Sequence, residues 1–378
     1  MGKADTIAVG GGLAGAAFAI ELARNGARVV LVERSRSAVL KVCGDFLSAE
    51  ALELLIHLGI DAAALGATSV GRLTLAAGKR AADVHLPFRA GGLSRMRLDE
   101  TLLAEAARAG VEMVRGPTVK GLEISAAHVL VTTDGATHSA PVAALATGKH
   151  NLRGWPRSPG VATGFKIQFA PSVAAQRELE DRVRLTLFEG GYVGACLVED
   201  NLLTICWQID AHELKRIGPH WKTQLAAFSR ESPWLGDLLS GAAPLSERPA
   251  AVSNLPFGYR RRAAIAPNVF AIGDQLAVIP AFTGDGTSIA LASGIEAARS
   301  VLAGQQATAF QARFVAALSS QFALARPLNA ALQARATRRL TIETVRAIPL
   351  LATLMARATR LGAVARPALA SQKSSATK

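Results

Sequence analysis

A glycine-rich turn between a short apolar run and a helix-like segment constrains this 378-residue chain more than any other feature. The run Ile7-Ala8-Val9 leads into Gly10-Gly11-Gly12-Leu13-Ala14-Gly15, after which apolar residues recur at helical spacing. A strand, a turn and a helix in this order are the context that a dinucleotide-binding fingerprint requires. Gly10 allows the tight turn, Gly12 lets the backbone approach a pyrophosphate, and Gly15 lets the helix pack on the strand.

The residues after the fingerprint continue the same pattern. Gly26 predicts the end of the helix, and Arg28-Val29-Val30-Leu31-Val32 predicts a second strand that ends at Glu33. A carboxylate about 20 residues beyond the glycines is where such folds bind a ribose. The sequence therefore predicts a dinucleotide contacted by the residues Gly10, Gly12, Leu13, Ala14, Gly15, Glu33 and Arg34.

A second glycine motif lies near the other end of the chain. An apolar run ends at Gly273-Asp274, the segment Pro280-Ala281-Phe282-Thr283-Gly284-Asp285-Gly286 follows, and Thr287 to Leu302 predicts a helix. This pattern resembles the flavoprotein superfamily of para-hydroxybenzoate hydroxylase and geranylgeranyl reductase. In that superfamily the aspartate, here Asp274, binds the ribityl chain of FAD, and the loop passes beside the flavin ring. The resemblance implies non-covalent FAD held by Gly273, Asp274, Pro280, Gly284, Asp285, Gly286 and Thr287.

Two further segments resemble parts of the same superfamily. Arg95-Met96-Arg97-Leu98-Asp99 is similar to its Arg-x-x-Leu-Asp segment, which implies that Arg95 holds the ribose or pyrophosphate side of FAD. Ala146-Thr147-Gly148 is similar to the strand end that closes over the adenosine half, which implies contacts from Thr147 and Gly148. The hydroxylases usually carry Gly-Ala-Asp-Gly there, and that motif takes part in nicotinamide-driven reduction. NAD(P)H is therefore one candidate reductant for this chain.

The segment Lys41-Val42-Cys43-Gly44-Asp45-Phe46-Leu47-Ser48 resembles a stretch of the geranylgeranyl reductases that lies near flavin and substrate. The resemblance implies that Cys43 and Gly44 contact the cofactor. Asp45 is a candidate proton donor if burial raises its pKa. Cys43 is either a chemical participant or a packed, inert thiol. Tyr192 is the other candidate proton donor.

The middle of the chain departs from the better-known branches. Geranylgeranyl reductases carry Tyr-x-Trp-x-Phe-Pro, of which the segment from Gly191 to Val198 keeps only the tyrosine. Halogenases carry Trp-x-Trp-x-Ile-Pro, and none of the tryptophans at 155, 207, 221 and 234 lies in such a motif. The favoured function is an FAD monooxygenase acting on a hydrophobic aromatic or polyketide-like substrate. The alternatives are a reductase of lipid or isoprenoid C=C bonds and a non-catalytic electron-transfer flavoprotein.

The expected fold is α/β, with a Rossmann-like FAD-binding domain of the GR2 type interleaved with a β-sheet substrate domain and followed by C-terminal helices. The FAD-binding domain is assigned to residues 1–70, 96–160 and 254–304. The substrate domain is assigned to 71–95 and 161–253. The C-terminal helices take 305–365, and 366–378 is expected to be a disordered tail. Predicted strands include 163–170, 184–188, 192–198 and 202–209.

The formal net charge of +13 is concentrated late in the chain. From Arg326 onward the sequence contains many arginines, including Arg366, but only one acidic residue, Glu343. The apolar run 347–356 is far shorter than the roughly 20 residues that a spanning helix needs. Two alternatives remain open: a basic amphipathic helix on an anionic membrane, or a helix packed on the protein with a solvated arginine face.

Composition limits the remaining function classes. The three cysteines form neither a metal-ligand spacing nor a disulfide framework, so we expect no metal site and a reducing compartment. No secretory signal is visible in the sequence, and the expected location is cytoplasmic with membrane association left open. Nucleic-acid binding is not expected, because no recognition motif accompanies the charge.

Overall fold

The glycine-rich turn joins a buried strand to a buried helix in the computed structural model, which describes residues 4–361. The strands, in chain order, are β1 (Thr6–Val9), β2 (Val29–Glu33), β3 (Phe46–Leu47), β4 (Thr68–Ala77), β5 (Arg80–Gly92), β6 (Glu112–Arg115), β7 (Val119–Ile124), β8 (Val129–Thr133), β9 (Thr137–Ala140), β10 (Val142–Leu145), β11 (Ala162–Ala170), β12 (Arg182–Phe188), β13 (Gly191–Leu197), β14 (Leu203–Asp210), β15 (Ala243–Pro244), β16 (Ala250–Leu255), β17 (Tyr259–Arg260), β18 (Val269–Ala271) and β19 (Ala277–Val278).

Helices alternate with the strands in the first half of the chain and dominate its end. They are α1 (Leu13–Arg24), α2 (Ala49–His57), α3 (Arg95–Arg108), α4 (Val173–Glu178), α5 (Ala211–Ile217), α6 (Trp221–Glu231), α7 (Pro233–Leu239), α8 (Gly286–Leu302), α9 (Ala307–Ala317), α10 (Ser319–Gln333), α11 (Arg335–Ala347) and α12 (Pro349–Ala358). Short 3-10 turns lie at Glu199–Asn201, Gly273–Gln275 and Ala281–Thr283.

The first sheet is parallel and has the strand order β18-β10-β1-β2-β6. Its central strands are buried along their whole length and mostly apolar, because helices α1, α3 and α8 cover one face of the sheet and strands β7 to β9 cover the other. Helices α1 and α8 pack closely, since a Cβ atom at Gly294 would lie 2.3 Å from the carbonyl oxygen of Ala14. This parallel sheet, with α1 and α8 packed on it, confirms the predicted Rossmann-like part of the fold.

The second sheet has the strand order β15-β11-β14-β13-β12-β4-β5-β3, and β16 also pairs with β11. It draws together two distant segments, because β4 pairs with β12 in parallel register. The predicted strands of the middle region are present as β11 to β14. A small antiparallel sheet, β7-β8-β9, and the pair β17-β19 complete the described strands.

One predicted helix begins earlier than expected. The sequence predicts a helix from Leu98 to Ala109, whereas α3 begins at Arg95. The cause is Ser94, whose hydroxyl oxygen accepts a hydrogen bond from the backbone N–H of Arg97 and so satisfies an N-terminal donor.

The C-terminal helices α10 to α12 form a cap over the second sheet, with α11 and α12 lying against β5. Ile342 and Val345 of α11 are buried with Leu75 and Leu187 of the sheet. The alternative in which these helices pack on the protein is therefore realised for their inner face. In the part of the chain that the structure describes, every helix is too short or too polar to cross a membrane.

The predicted tail 366–378, with Arg366, lies outside the described residues. The division of the chain into domain segments stays a prediction.

Candidate functional site

A cavity of about 1100 Å³ opens between the carboxyl ends of the parallel strands, the second sheet and the cap. The chain folds so that most of the predicted site residues border this one space, although they are spread over nearly 300 positions. Those bordering it are Gly10, Gly12, Leu13, Ala14, Glu33, Arg34, Cys43, Gly44, Arg95, Thr147, Gly148, Tyr192, Gly273, Asp274, Gly284, Gly286 and Thr287.

The three fingerprint glycines have different surroundings. A Cβ atom at Gly10, whose φ is +108°, would lie 2.5 Å from the carbonyl oxygen of Ala146, and one at Gly15 would lie 1.9 Å from that of Gly10. A Cβ atom at Gly12 would meet only Arg95 Nη2, at 3.7 Å. Gly10 and Gly15 are thus required by the fold itself, and Gly15 does not border the cavity. Gly12 instead faces the open space where a ligand would lie.

Two long helices begin at the cavity without a side-chain cap. Helix α1 follows Gly12 and helix α8 follows Asp285, and neither N-terminus has a side-chain oxygen bound to its first N–H groups. Free N–H groups and the helix dipole together favour an anionic ligand group at such a position. The pair of termini, with the open space at Gly12, fits the pyrophosphate and the flavin ring of FAD.

Glu33 ends β2 at the rim of the cavity. One carboxylate oxygen accepts a hydrogen bond from the backbone N–H of Gly11 at 2.7 Å, and the other accepts one from Ser35 at 2.8 Å. The carboxylate therefore ties the glycine loop to the strand end. Because a carboxylate offers about four acceptor positions, ribose hydroxyl groups can still bind it.

A buried charge cluster lies beside Gly12. Asp99 accepts hydrogen bonds from Arg95 at 2.8 and 3.0 Å, and Lys41 Nζ lies 2.7 Å from Asp99 Oδ2. Burial raises the pKa of Asp99, but Arg95 and Lys41 outweigh burial and lower it. The cluster carries two cations and one anion, so it retains positive charge for a phosphate group.

Asp274 lies in the turn after β18, beside two cations. Lys149 Nζ is 3.8 Å from Asp274 Oδ2 and donates a hydrogen bond to the carbonyl oxygen of Val42 at 2.9 Å. Arg157 donates to the carbonyl oxygens of Asp274 and Lys149, each at 2.7 Å. Arg157 is buried and was not among the predicted site residues. It holds the turn after β18 against the segment after β10.

Asp45 lies beside the cavity wall, and its role as a proton donor stays a prediction. Its side chain is buried and does not border the cavity. The carboxylate contacts Lys166 Nζ and accepts a hydrogen bond from Thr204 Oγ1 at 2.7 Å. Its first oxygen accepts one from the backbone N–H of Arg95 at 3.2 Å. These contacts let Asp45 fix the loop that carries Cys43 and Gly44.

Tyr192 and Cys43, the other candidate catalytic residues, both border the cavity. Burial raises the pKa of Tyr192 well above its usual value, so its hydroxyl keeps its proton at neutral pH. Cys206 borders the same space, and burial raises the pKa of its thiol to about 12. Cys206 is thus a neutral thiol. The roles of Tyr192 and Cys43 in a reaction stay predictions.

Asp285 and Pro280 are set back from the cavity, and their contact with the cofactor stays a prediction. Neither residue borders the cavity. Asp285 is fully buried; Arg360 Nη1 lies 2.9 Å from one carboxylate oxygen, and Gln321 Nε2 donates to the other at 2.7 Å. Asp285 therefore joins the segment 280–286, which we call the flavin loop after its predicted neighbour, to the cap. This contact has no local signal in the sequence, because Gln321 and Arg360 lie in the region predicted only as C-terminal helices.

The side of the cavity below the cap is predominantly apolar. Tyr192 packs there with Phe282 of the flavin loop, and the walls come from the sheet and the cap helices. The apolar wall residues are Leu73, Leu75, Leu86, Phe88, Val183, Leu185, Leu328, Leu332, Val345, Ala352 and Met355. A ligand in this part must be largely hydrophobic.

Comparison with known proteins agrees with this geometry. Residues 3–140 match the family described as FAD binding domain. Protein FixC of Escherichia coli strain K12 is 27% identical over 352 residues, covering 81% of this chain and 78% of FixC. Protein FixC of Salmonella typhi is 32% identical over 216 residues, which cover 51% of this chain and 48% of the Salmonella protein.

Solved structures with the same fold include the flavin-dependent brominase Bmp2, with a TM-score of 0.77 at 16% identity, covering 99% of this chain and 100% of Bmp2. A flavoprotein/dehydrogenase from Cytophaga hutchinsonii has a TM-score of 0.75 at 15% identity, covering 88% and 86% of the two chains. The halogenase PltM in complex with phloroglucinol and FAD has a TM-score of 0.72 at 15% identity, covering 85% and 75%. At identities of 15–16%, these similarities show a shared fold and nothing more.

Proposed function

We propose that this chain, an FAD-dependent oxidoreductase, is a monooxygenase of the para-hydroxybenzoate hydroxylase-like superfamily that hydroxylates a hydrophobic aromatic or polyketide-like substrate. One oxygen atom of O2 would enter a ring C–H bond and the other would leave as water. The two electrons would come from a reduced nicotinamide, NAD(P)H. Bound FAD would supply the oxygen-activating chemistry.

The observation that carries this proposal is the apolar enclosure on the capped side of the cavity. Its walls come from strands β4, β5 and β12 and from helices α10 to α12. Apolar walls exclude water, which protects reactive oxygen chemistry from unproductive decay and favours a hydrophobic ligand. The chain's own residues would then bind and orient the ring, and Tyr192 provides a hydroxyl group in the wall that could contact it.

A reductase of lipid or isoprenoid C=C bonds is the second candidate, and Tyr192 is the observation that favours it. A buried tyrosine that keeps its proton can protonate one carbon of an alkene while the cofactor reduces the other. Cys43 borders the same space and is the other candidate donor. Both groups would have to lie against the alkene.

The test is a comparison of oxygen-dependent and anaerobic turnover by the holoprotein. We expect a reduced sample mixed with 18O2 and long-chain phenols to yield products that contain one labelled oxygen atom. The variant Tyr192→Phe should still convert at least one of the phenols into a product that contains labelled oxygen. The reductase would be established by two results together. The wild type, but not Tyr192→Phe, would reduce an alkene lipid without oxygen, and no phenol would acquire a labelled oxygen atom. Reduction and reoxidation without any product would indicate an electron-transfer flavoprotein.

A further inference from the structure

The outward side of the cap exposes several large apolar side chains. Leu340 of α11 is 68% exposed, Ile348 between the helices is 54% exposed, and Leu350 and Leu354 of α12 are 65% and 51% exposed. Leu350 and Leu354 are four residues apart, so they lie on one face of α12. We call these four residues the outer face of the cap. Such a cluster on a folded protein marks a surface that contacts something else.

Cations lie on the same two helices as the outer face of the cap. Arg339, Arg346 and Arg357 are exposed, and among the described residues none of the three has a carboxylate within ion-pair distance. The only acid in α11 and α12 is Glu343, which pairs with Arg80 at 2.7 Å. The surface therefore keeps a positive charge beside its leucines.

The outer face of the cap adjoins the cavity. Leu340 borders the cavity although most of its side chain is exposed, so an opening lies beside α11. In α12 the residues that border the cavity, Ala352, Met355 and Ala356, lie on the opposite side of the helix from Leu350 and Leu354. The cap is thus one layer of helices with the apolar cavity on one side and the exposed leucines on the other.

We propose that the outer face of the cap docks on the surface of an anionic phospholipid bilayer. Leu350 and Leu354 would enter the headgroup region while Arg339, Arg346 and Arg357 bind lipid phosphates. A second copy of the chain fits this surface less well, because a two-fold interface would bring like-charged arginines together. Docking does not depend on the reaction. The further consequence, that a hydrophobic substrate enters beside Leu340, rests on the proposed function.

The test is flotation of the FAD-loaded protein with vesicles of phosphatidylcholine alone and with about one third phosphatidylglycerol. We expect the wild type to bind the anionic vesicles. The double variant Leu350→Glu, Leu354→Glu should lower the partition coefficient more than tenfold, because it removes two apolar side chains from the contact and adds two negative charges beside an anionic surface. Val173→Glu is the matched control, since Val173 is 63% exposed on α4 and outside the cap. It should bind like the wild type.

The charge requirement is tested separately. Replacing Arg339, Arg346 and Arg357 by glutamine should weaken binding to anionic vesicles about fivefold per arginine and leave binding to neutral vesicles unchanged. Retained flavin absorbance shows that each variant is folded. The proposal is overturned if the wild type does not bind anionic vesicles, or if the leucine variant binds as well as Val173→Glu. It is equally overturned if the leucine variant only dissociates a dimer in light scattering.

Discussion

At the scale of single residues, one buried ion pair fixes the loop that borders the cavity. Lys166 and Asp45 have fully buried side chains, and the hydroxyl of Thr204 also binds the carboxylate. Removing two charges from water is costly, so such a pair is poor evidence for stability on its own. The pair instead fixes the position of Asp45, whose backbone has a φ of +58°. In this position the Asp45 N–H donates to Cys43 Sγ, and the Asp45 carboxylate accepts a hydrogen bond from the N–H of Arg95.

We expect Lys166→Met to destabilise the protein by about 3–5 kcal/mol, because it leaves the Asp45 carboxylate buried without its cation. The double variant Lys166→Met, Asp45→Asn should recover part of this loss, since asparagine carries no charge and tolerates a positive φ. Urea unfolding measures both changes. Thr204→Val is the control, which removes one hydrogen bond and should cost about 1 kcal/mol. Equal losses for Lys166→Met and Thr204→Val would contradict the argument.

Residue-scale prediction from the sequence succeeded where local backbone geometry dictates the residue. The close contacts that Gly10 and Gly15 make follow from a strand that turns directly into a helix, so three glycines in register were sufficient evidence. The role of Asp45 could not be predicted in this way, because its partner Lys166 lies on a strand of the other sheet. A lone lysine within the apolar run of β11 was the available signal, since an unpaired buried lysine is rare.

At the scale of elements, the cap is fastened to the flavin loop by one polar cluster. Arg360 contacts the carbonyl oxygen of Thr283 and pairs with Asp285. Gln321 of α10 donates to Asp285 and to the carbonyl oxygen of Thr359. Burial raises the pKa of Asp285 to about 7 and outweighs the opposing effect of Arg360; Glu50 raises it further.

The raised pKa predicts how stability depends on pH. The folded state binds a proton at Asp285 more tightly than the unfolded state does, so this contribution is fully present below pH 4 and is lost as the pH rises to about 7. We expect the free energy of unfolding of the wild type, relative to Asp285→Asn, to fall by up to about 4 kcal/mol across that range. It should then stay constant to pH 9.

Chemical denaturation of both proteins at each pH measures this difference, in which the other titrating groups cancel. Any fixed offset, such as the lost pairing of Arg360, shifts the whole curve without changing its slope. A flat difference between pH 4 and 7 would show that Asp285 stays ionised in the fold.

The sequence predicted most elements but not how the last ones pack. Alternation and turn residues were enough to predict β11 to β14, α1 and α8. The helices α11 and α12 carry apolar residues on two sides, one set buried against the sheet and one exposed. Periodicity cannot show which set meets the protein, so a packed helix and a surface-binding helix remained alternatives.

At the scale of the whole molecule, the cavity exists only when distant segments meet. Gly12, Cys43, Tyr192, Asp274 and Arg360 all border it. Pairing of β4 with β12 brings the early and middle segments into one sheet, and the cap closes that sheet from the end of the chain. Such long-range register leaves little trace in local sequence, which is why the apolar enclosure was not predicted. A ligand that fills the cavity should therefore stabilise all of these segments together.

We expect FAD added to the apoprotein to slow amide exchange in the turn before α1, in residues 41–46 and in β13, and to raise the melting temperature with FAD concentration.

Gly12→Ser is the matched variant. Gly12 has an ordinary extended backbone, and a Cβ atom there meets only Arg95 Nη2, so the apoprotein should melt as the wild type does. The new hydroxyl occupies the space and the N–H groups needed by the pyrophosphate, which should weaken FAD at least tenfold because each hydrogen bond to a charged group contributes about 1.5–3 kcal/mol. Protection confined to the first turn, or unchanged FAD affinity in Gly12→Ser, would mean that the cofactor does not join the two sheets.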